Sequence, residues 1–273
     1  MFQRTLTLMI LVLATFASAA CAQVVATHAV WGELASVVGG DEITVITIIP
    51  SGFCPSHYDL RPSDIAAIAS AQLILYSGIE PWLDTLLASL NPGATAAALP
   101  GIWNTPDAAA EKLEQIYALL AELDPAHQPL FRDRTDAYLA QLTALRDELQ
   151  TAAVAHEIAG IPVVCMQWQA AYVAWLGFDV AATYAPPTDL SLRDLVDLTA
   201  AGQTAGAVAV IDNLQSGIDF GAKLAREIGA VHVVFSNFPG SMPFTSTLLE
   251  LLRRNAESLF TAVKPSQGEI HEN

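Results

Sequence analysis

The sequence is poor in positive charge. Lysine and arginine together number 12 against 28 aspartates and glutamates, which leaves a formal net charge of −16 at pH 7. This balance repels phosphate backbones and anionic lipids, so we expect neither nucleic acid nor an acidic membrane surface as a partner. Only 15% of the residues are charged while 53% are hydrophobic, and the chain therefore has ample material for a large packed core.

Long hydrophobic runs are missing as well. The apolar run from Leu6 to Phe16 covers about eleven residues, fewer than the roughly 20 that a membrane helix requires. It follows a positive charge and leads through small residues to Cys21, a pattern that predicts a secretion signal over residues 1–22. Either Cys21 is lipidated or the signal is cleaved near Ala19 or Ala22. We expect an extracytoplasmic protein that is periplasmic, secreted, or anchored by lipid to the outer face of the cell membrane.

Cysteine is scarce, with three residues in the chain. Apart from Cys21 there remain Cys54 and Cys165, which could form a disulfide, pack as small hydrophobic residues, or serve as free thiols for a ligand. Cys54 belongs to the stretch "GFCPSHYDLRPSD", in which His57 follows closely. A thiol near a histidine is a nucleophilic pair in outline, but Pro55 removes the next backbone N–H and no third orienting group is evident. We therefore expect no enzymatic activity.

Short β-branched runs alternate with helical patterns in both halves of the chain. Examples are "VVAT" and "ITVITII" in the first half and "IPVVCM" and "GAVAVID" in the second. This alternation is typical of α/β folds. It predicts two α/β lobes, over residues 24–125 and 160–263.

A long helix is predicted between the lobes, over residues 126–158. Within it Tyr138, Leu142, Leu145 and Leu149 recur at helical spacing and form one apolar stripe. Some thirty helical residues span on the order of 45 Å, enough to connect both lobes as a rigid rod. We expect a ligand cleft between the lobes, formed by the loops that follow the strands.

Several longer stretches carry a family resemblance. They are "VVGGDEITVITIIPSG", "YDLRPSDIAAIASAQLILYSGIEPWLDTLL", "ELDP" and "NFPG", in this order and spacing. With them the chain resembles the metal-type solute-binding proteins of ABC importers, the zinc and manganese family of cluster A-I, over roughly residues 24–263. The resemblance implies a monomeric receptor that binds a small ligand or metal and works with an ABC permease and its ATPase.

The metal ligands of that family do not carry over to this sequence. The positions that match its four ligands hold Ser56, Gly101, Gln167 and Asn237, none of which is an ordinary zinc ligand. The histidine-rich loop of many zinc-specific members is also missing, since residues 88–101 contain no histidine. The resemblance thus implies the fold and the transport role without an ordinary zinc or manganese site.

We expect a set of more polarizable side chains, including thiols, at the cleft instead. We predict three metal ligands, Cys54, His57 and Cys165, and four further ligand-binding residues, His28, Trp103, Gln167 and Asn237. Thiolates select polarizable ions, so the predicted cargo is a Cu(I)-like or Hg(II)-like ion or a metal-containing species. Two alternatives stay open: a non-metal small molecule held by amides and tryptophans, or an adhesin or partner-binding protein that has lost the metal site.

Overall fold

Two parallel β-sheets form the frame of the molecule in the computed structural model, which describes residues 21–263. The first sheet contains β1 (Ala22–Ala26), β2 (Ile43–Thr47), β3 (Leu73–Tyr76) and β4 (Thr95–Ala98), in the order β2-β1-β3-β4. The second contains β5 (Pro162–Met166), β6 (Asp179–Tyr184), β7 (Ala209–Asn213) and β8 (Val231–Phe235), in the order β6-β5-β7-β8. The two lobes thus share one topology. The predicted signal lies almost wholly outside the described residues.

Helices connect the strands and cover both faces of each sheet. They are α1 (Ala29–Gly39), α2 (Pro62–Ser70), α3 (Leu83–Leu90), α4 (Pro106–Leu123), α5 (Gln128–Ala155), α6 (Ala170–Leu176), α7 (Leu192–Ala205), α8 (Asp219–Ile228) and α9 (Leu248–Ala262). Local sequence explains the starts of α2 and α4, because Pro62 and Pro106 occupy first-turn positions where the missing N–H costs nothing. Within residues 21–263 no helix has the length and apolar character needed to cross a membrane.

Alternate residues of each central strand enter different cores. In β1, Val24 faces the central core while Val25 faces the outer core of the first lobe. In β5, Cys165 faces the central core while Val164 and Met166 face the outer core of the second lobe. Since successive strand residues point to opposite faces, a strand covered on both sides is apolar throughout. This alternation directs the thiol of Cys165 into the interior.

The long helix α5 packs against both lobes. Its Tyr138, Leu142, Leu145 and Leu149 are buried in the central core, which also contains residues of both sheets and of α9. At about 1.5 Å per residue its 28 residues span about 42 Å. The prediction of two α/β lobes joined by one long helix is therefore confirmed.

Polar contacts also tie the lobes to this helix. Glu33 of α1 accepts a hydrogen bond of 2.9 Å from the Tyr138 hydroxyl on α5. Its two carboxylate oxygens also accept from the backbone N–H of Leu248, the first residue of α9, at 2.9 and 2.8 Å. Arg253 of α9 forms a two-pronged ion pair with Glu148 of α5, at 2.7 and 2.8 Å. The carboxylate of Glu33 therefore links α1 of the first lobe with the long helix α5 and with α9 of the second lobe.

Candidate functional site

A cavity of about 450 Å³ lies between the lobes. Its wall in the first lobe comes from the segments after β2, β3 and β4, and its wall in the second lobe from the carboxyl ends of β5, β7 and β8. Parallel sheets bind ligands at this edge, where the connecting loops converge. The predicted cleft between the lobes is therefore present, at the carboxyl ends of both sheets.

The apolar part of the wall is aromatic. The rings of Trp103 in the first lobe and Phe238 in the second are nearly parallel. Their interplanar angle is 16° and their centroids lie 6.1 Å apart. Trp168, Pro55, Ile79 and Ile102 add further apolar surface. Rings of this kind offer large flat surfaces to an apolar or aromatic ligand.

Residues of the wall also join the two lobes by hydrogen bonds. The Trp103 indole N–H donates to the carbonyl oxygen of Asn237 at 3.2 Å. The Asn104 Nδ2 donates to the carbonyl oxygen of Trp168 at 2.9 Å. From the second lobe, Gln215 Nε2 donates to the carbonyl oxygen of Ser51 at 2.8 Å. The lobes are thus held closed by the same side chains that surround the cavity.

The polar part of the wall consists of amides and hydroxyls together with the thiol of Cys54. Among the described residues that line the cavity, none carries a carboxylate, an imidazole or a positive charge. Three of its amides use their acceptors within the protein: Asn213 Oδ1 accepts from the N–H and hydroxyl of Ser216, Gln215 Oε1 from the N–H of Asn237, and Asn237 Oδ1 from Gln169 Nε2. The cavity is therefore neutral.

His28 lies one layer behind this wall. It is 1% exposed, its Nε2 lies 2.6 Å from the Ser77 hydroxyl oxygen, and its ring packs against Trp31, Trp103 and Phe238. Burial lowers the pKa of His28 to about 3. The imidazole is thus neutral at physiological pH and supports the wall through Ser77.

The remaining predicted residues divide into two groups. Cys54, Trp103 and Asn237 line the cavity, whereas the exposed Gln167 and His57 do not. Cys165 is fully buried in β5, and burial raises the pKa of its thiol to about 12. This burial corrects the expectation that Cys165 is a metal ligand at the cleft. The part of the chain that the structure describes contains no group of three His, Cys, Asp or Glu residues suited to a metal ion.

The cavity occupies the place that the family resemblance assigns to the metal. Of the four matching positions, Ser56, Gly101 and Asn237 line the wall. The fourth, Gln167, is exposed, and its neighbour Trp168 lines the cavity instead. At these three positions the wall presents a hydroxyl group, a glycine backbone and an amide.

Sequence reasoning missed several wall residues, among them Ser77, Asn104, Gln215 and Phe238. Ser77 directly follows the apolar run "LILY" of β3, and Gln215 comes two residues after β7. The rule that ligands bind at the carboxyl ends of parallel strands would have pointed to both residues. Asn104 carries no such signal, because it lies several residues beyond β4.

Fold and cavity together define a two-lobed solute-binding protein. The sequence profile described as "ZnuA: Zinc-uptake complex component A periplasmic" matches residues 24–262, and the chain belongs to this family. The resemblance seen in the sequence is thereby confirmed, and with it the extracytoplasmic location, since the family is that of a periplasmic component.

Curated relatives carry names that refer to metal binding and transport. The iron-binding protein YfeA of Yersinia pestis is 28% identical over 143 residues, 45% of this chain and 46% of the relative. The manganese ABC transporter substrate-binding lipoprotein scaA of Streptococcus gordonii is 25% identical over 161 residues, 49% of this chain and 52% of the relative. The chain thus spans about half the length of the curated relatives it matches.

Solved structures match over a larger share of the chain. A periplasmic metal binding protein from Candidatus Liberibacter asiaticus has a TM-score of 0.78 at 17% identity, covering 88% of this chain and 99% of the other. At such identity the likeness shows the fold. It supports the two-lobe architecture, whereas the nature of the cargo depends on the residues of the cavity.

Proposed function

We propose that this protein is the solute receptor of an ABC-type importer and that its cargo is a small, largely apolar organic molecule. It would deliver this molecule to a permease driven by an ATPase. The transport role is supported by membership of the family. The observation that carries the choice of cargo is the neutral, largely aromatic wall, which includes three of the positions that the resemblance assigns to metal ligands.

A bare metal ion has too few ligands in this cavity. Zinc is ordinarily held by three or four imidazole, thiolate or carboxylate groups, and soft ions such as Cu(I) by thiolates or thioethers. Of the three metal ligands predicted from the sequence, Cys54 alone lines the wall. Cys165 is buried in the core with a raised pKa, and metal binding requires the thiolate. These features favour the non-metal alternative over a soft ion.

The size and lining of the cavity suit an organic molecule. A volume of about 450 Å³ falls within the roughly 300–1,000 Å³ that is usual for small-molecule pockets. Such pockets combine apolar and aromatic walls with a few polar groups that orient the ligand. Here Trp103, Trp168 and Phe238 supply the aromatic surface, and the amides and hydroxyls of the wall supply the orienting polar groups.

Metal analysis combined with native mass spectrometry tests this proposal. Protein isolated under non-denaturing conditions should contain no stoichiometric metal and should carry an organic adduct. Refolded, reduced protein should keep its melting temperature when Zn(II), Mn(II), Fe(II) or Cu(I) is added. A ligand present at one hundred times its dissociation constant would add about 2.7 kcal/mol, which a thermal scan detects readily.

Two variants separate the possible outcomes. A metal that stabilises the wild type and the Gln167→Ala control but not Cys54→Ser would overturn the proposal and restore the soft-metal hypothesis. Gln167 is a suitable control because it is exposed and lies outside the cavity wall. Protein that carries no adduct and responds to no ligand would also contradict the proposal, in favour of the partner-binding alternative.

A further inference from the structure

We infer that the side-chain NH₂ group of Asn237 selects the cargo by donating a hydrogen bond to it. The cargo is then a neutral, largely apolar molecule that carries a carbonyl-type acceptor oxygen, as ketones, lactones and quinones do. This inference rests on the proposed function and specifies its substrate class.

Asn237 is held on the cavity wall by three hydrogen bonds. Its backbone N–H donates to Gln215 Oε1 at 3.2 Å, and its carbonyl oxygen accepts from the Trp103 indole N–H at 3.2 Å. Its side-chain Oδ1 accepts from Gln169 Nε2 at 2.9 Å. Within residues 21–263 the Nδ2 atom has no hydrogen-bond partner, and it is not among the buried polar atoms. The NH₂ group is therefore the part of this residue that is left for a ligand.

The orientation of the Asn237 amide follows from its partner Gln169. Gln169 is fully buried, and its Oε1 has no partner in the described part of the chain. If both amides were turned over, Asn237 Nδ2 would donate to Gln169 Oε1, and the NH₂ group of Gln169 would be buried without an acceptor. A buried N–H without a partner is rarer than an unpaired acceptor. The bond from Gln169 Nε2 to Asn237 Oδ1 is therefore the better arrangement, and it leaves the NH₂ group of Asn237 free.

The other amides of the wall use their NH₂ groups within the protein. Asn104 Nδ2 donates to a backbone carbonyl oxygen of the second lobe at 2.9 Å, and Asn213 Nδ2 donates to Gln215 Oε1 at 3.3 Å. Gln215 Nε2 donates to a backbone carbonyl oxygen of the first lobe and to a serine hydroxyl oxygen, each at 2.8 Å. Trp168 also offers an indole N–H, but this residue is 50% exposed, so water competes for it. Asn237 is thus the wall amide whose NH₂ group is wholly unpaired.

The charge of the surroundings restricts the acceptor on the cargo to a neutral oxygen. Among the described residues that line the cavity none is positively charged, and the chain has a formal net charge of −16. A carboxylate would enter against this field and would be buried without a counter-ion, which is costly. The rings of Trp103, Trp168 and Phe238 provide apolar surface for the rest of the molecule. A carbonyl group on an apolar ring body meets both conditions.

Two matched probes test the inference. 1-Indanone carries a ring carbonyl, and indane has the same ring body without it. Binding of each probe to the wild type and to Asn237→Asp is measured by calorimetry or ligand-observed NMR at pH 7.5 in the presence of EDTA. Aspartate keeps an oxygen that can accept from Gln169 but replaces the NH₂ donor by a second acceptor. We expect the affinity for 1-indanone relative to indane to fall about tenfold in Asn237→Asp, because the hydrogen bond to the carbonyl is lost.

A control variant and a measurement on the wild type complete the test. Gln167→Ala should keep the wild-type preference, since Gln167 is exposed and lies outside the cavity wall. Circular dichroism checks that Asn237→Asp is folded. The carbonyl stretching band of 1-indanone bound to the wild type should lie at a lower wavenumber than in hexane, and this band decides if the variant is not folded.

The outcomes separate the inference from the proposed function. If both probes bind and their relative affinity is unchanged in Asn237→Asp, or if the bound carbonyl band stays at its position in hexane, the inference is overturned and the proposed function stands. Failure of both probes to bind the wild type also overturns the inference. A metal that binds instead would overturn the proposed function as well.

Discussion

At the scale of single residues, the two cysteines of the predicted metal site differ in accessibility. Cys54 is partly exposed on the cavity wall, whereas Cys165 is fully buried in β5 with a pKa of about 12. Since the thiolate is the reactive form, we predict that iodoacetamide at pH 8 modifies Cys54 in the native protein and leaves Cys165 intact.

Peptide mass spectrometry after timed labelling measures both sites. Protein unfolded in urea serves as the control, in which both thiols should react at similar rates. Rapid native labelling of Cys165 would mean that its thiol reaches solvent, and a ligand role for that residue would then regain support.

The buried imidazole of His28 makes the protein sensitive to acid. Its pKa is about 3 in the folded state because of burial, and about 6.5 in an unfolded chain. The unfolded state therefore takes up the proton first, and stability falls as the pH drops from about 6.5 towards 3. We predict that His28 alone lowers the free energy of unfolding by about 1.4 kcal/mol per pH unit within this window.

Urea unfolding at several pH values between 7.5 and 4.5 checks this slope against a His28→Gln variant. Glutamine retains an N–H group that can donate to Ser77 but does not titrate. The wild type should lose stability relative to the variant steadily as the pH falls below 6.5. His57→Gln is the matched control, because His57 is exposed. The prediction would be contradicted if the free energies of unfolding of the wild type and His28→Gln changed in parallel with pH.

At the scale of elements, α5 stabilises the molecule through one buried stripe. Leu142 is 1% exposed in the central core, while Val154 on the same helix is 79% exposed. We predict that Leu142→Ala lowers the free energy of unfolding by about 2–5 kcal/mol, since it removes buried methyl groups and leaves a cavity. Val154→Ala should change it by less than about 0.5 kcal/mol. Denaturant unfolding measures both changes in free energy. Equal changes for the two variants would show that the buried stripe of α5 does not pack tightly against the core.

Elements were more predictable from the sequence than side-chain directions. Tyr138 and the three leucines that follow at helical spacing predicted α5, because one buried face leaves a periodic signal. β5 leaves no such signal: it is covered on both faces, so its apolar run "PVVCM" does not reveal which way Cys165 points. The place of Asn104 on the cavity wall was equally hidden, since the residue lies several positions beyond β4 in an irregular segment.

At the scale of the whole molecule, Glu33 connects both lobes and the long helix. Burial raises the pKa of its carboxyl group, and nearby Glu250 adds to this, while hydrogen bonds from Leu248 N–H and the Tyr138 hydroxyl oppose it. A raised pKa means that the folded state holds the proton more strongly than the unfolded chain. The stability that the protonated form contributes is therefore complete below the unfolded pKa and is lost as the pH rises through the folded value.

We predict that Glu33→Gln removes this pH dependence. Glutamine keeps a carbonyl oxygen that can accept from Leu248 and Tyr138, but it carries no buried charge. As the pH rises from about 4.5, the wild type should lose stability relative to Glu33→Gln in urea unfolding. Glu148→Gln is the control of opposite sign, because the Arg253 guanidinium lowers the pKa of Glu148 and the wild type should gain stability relative to that variant. A difference between wild type and Glu33→Gln that stays constant with pH would mean that the carboxylate between the lobes is as well solvated as in the unfolded chain.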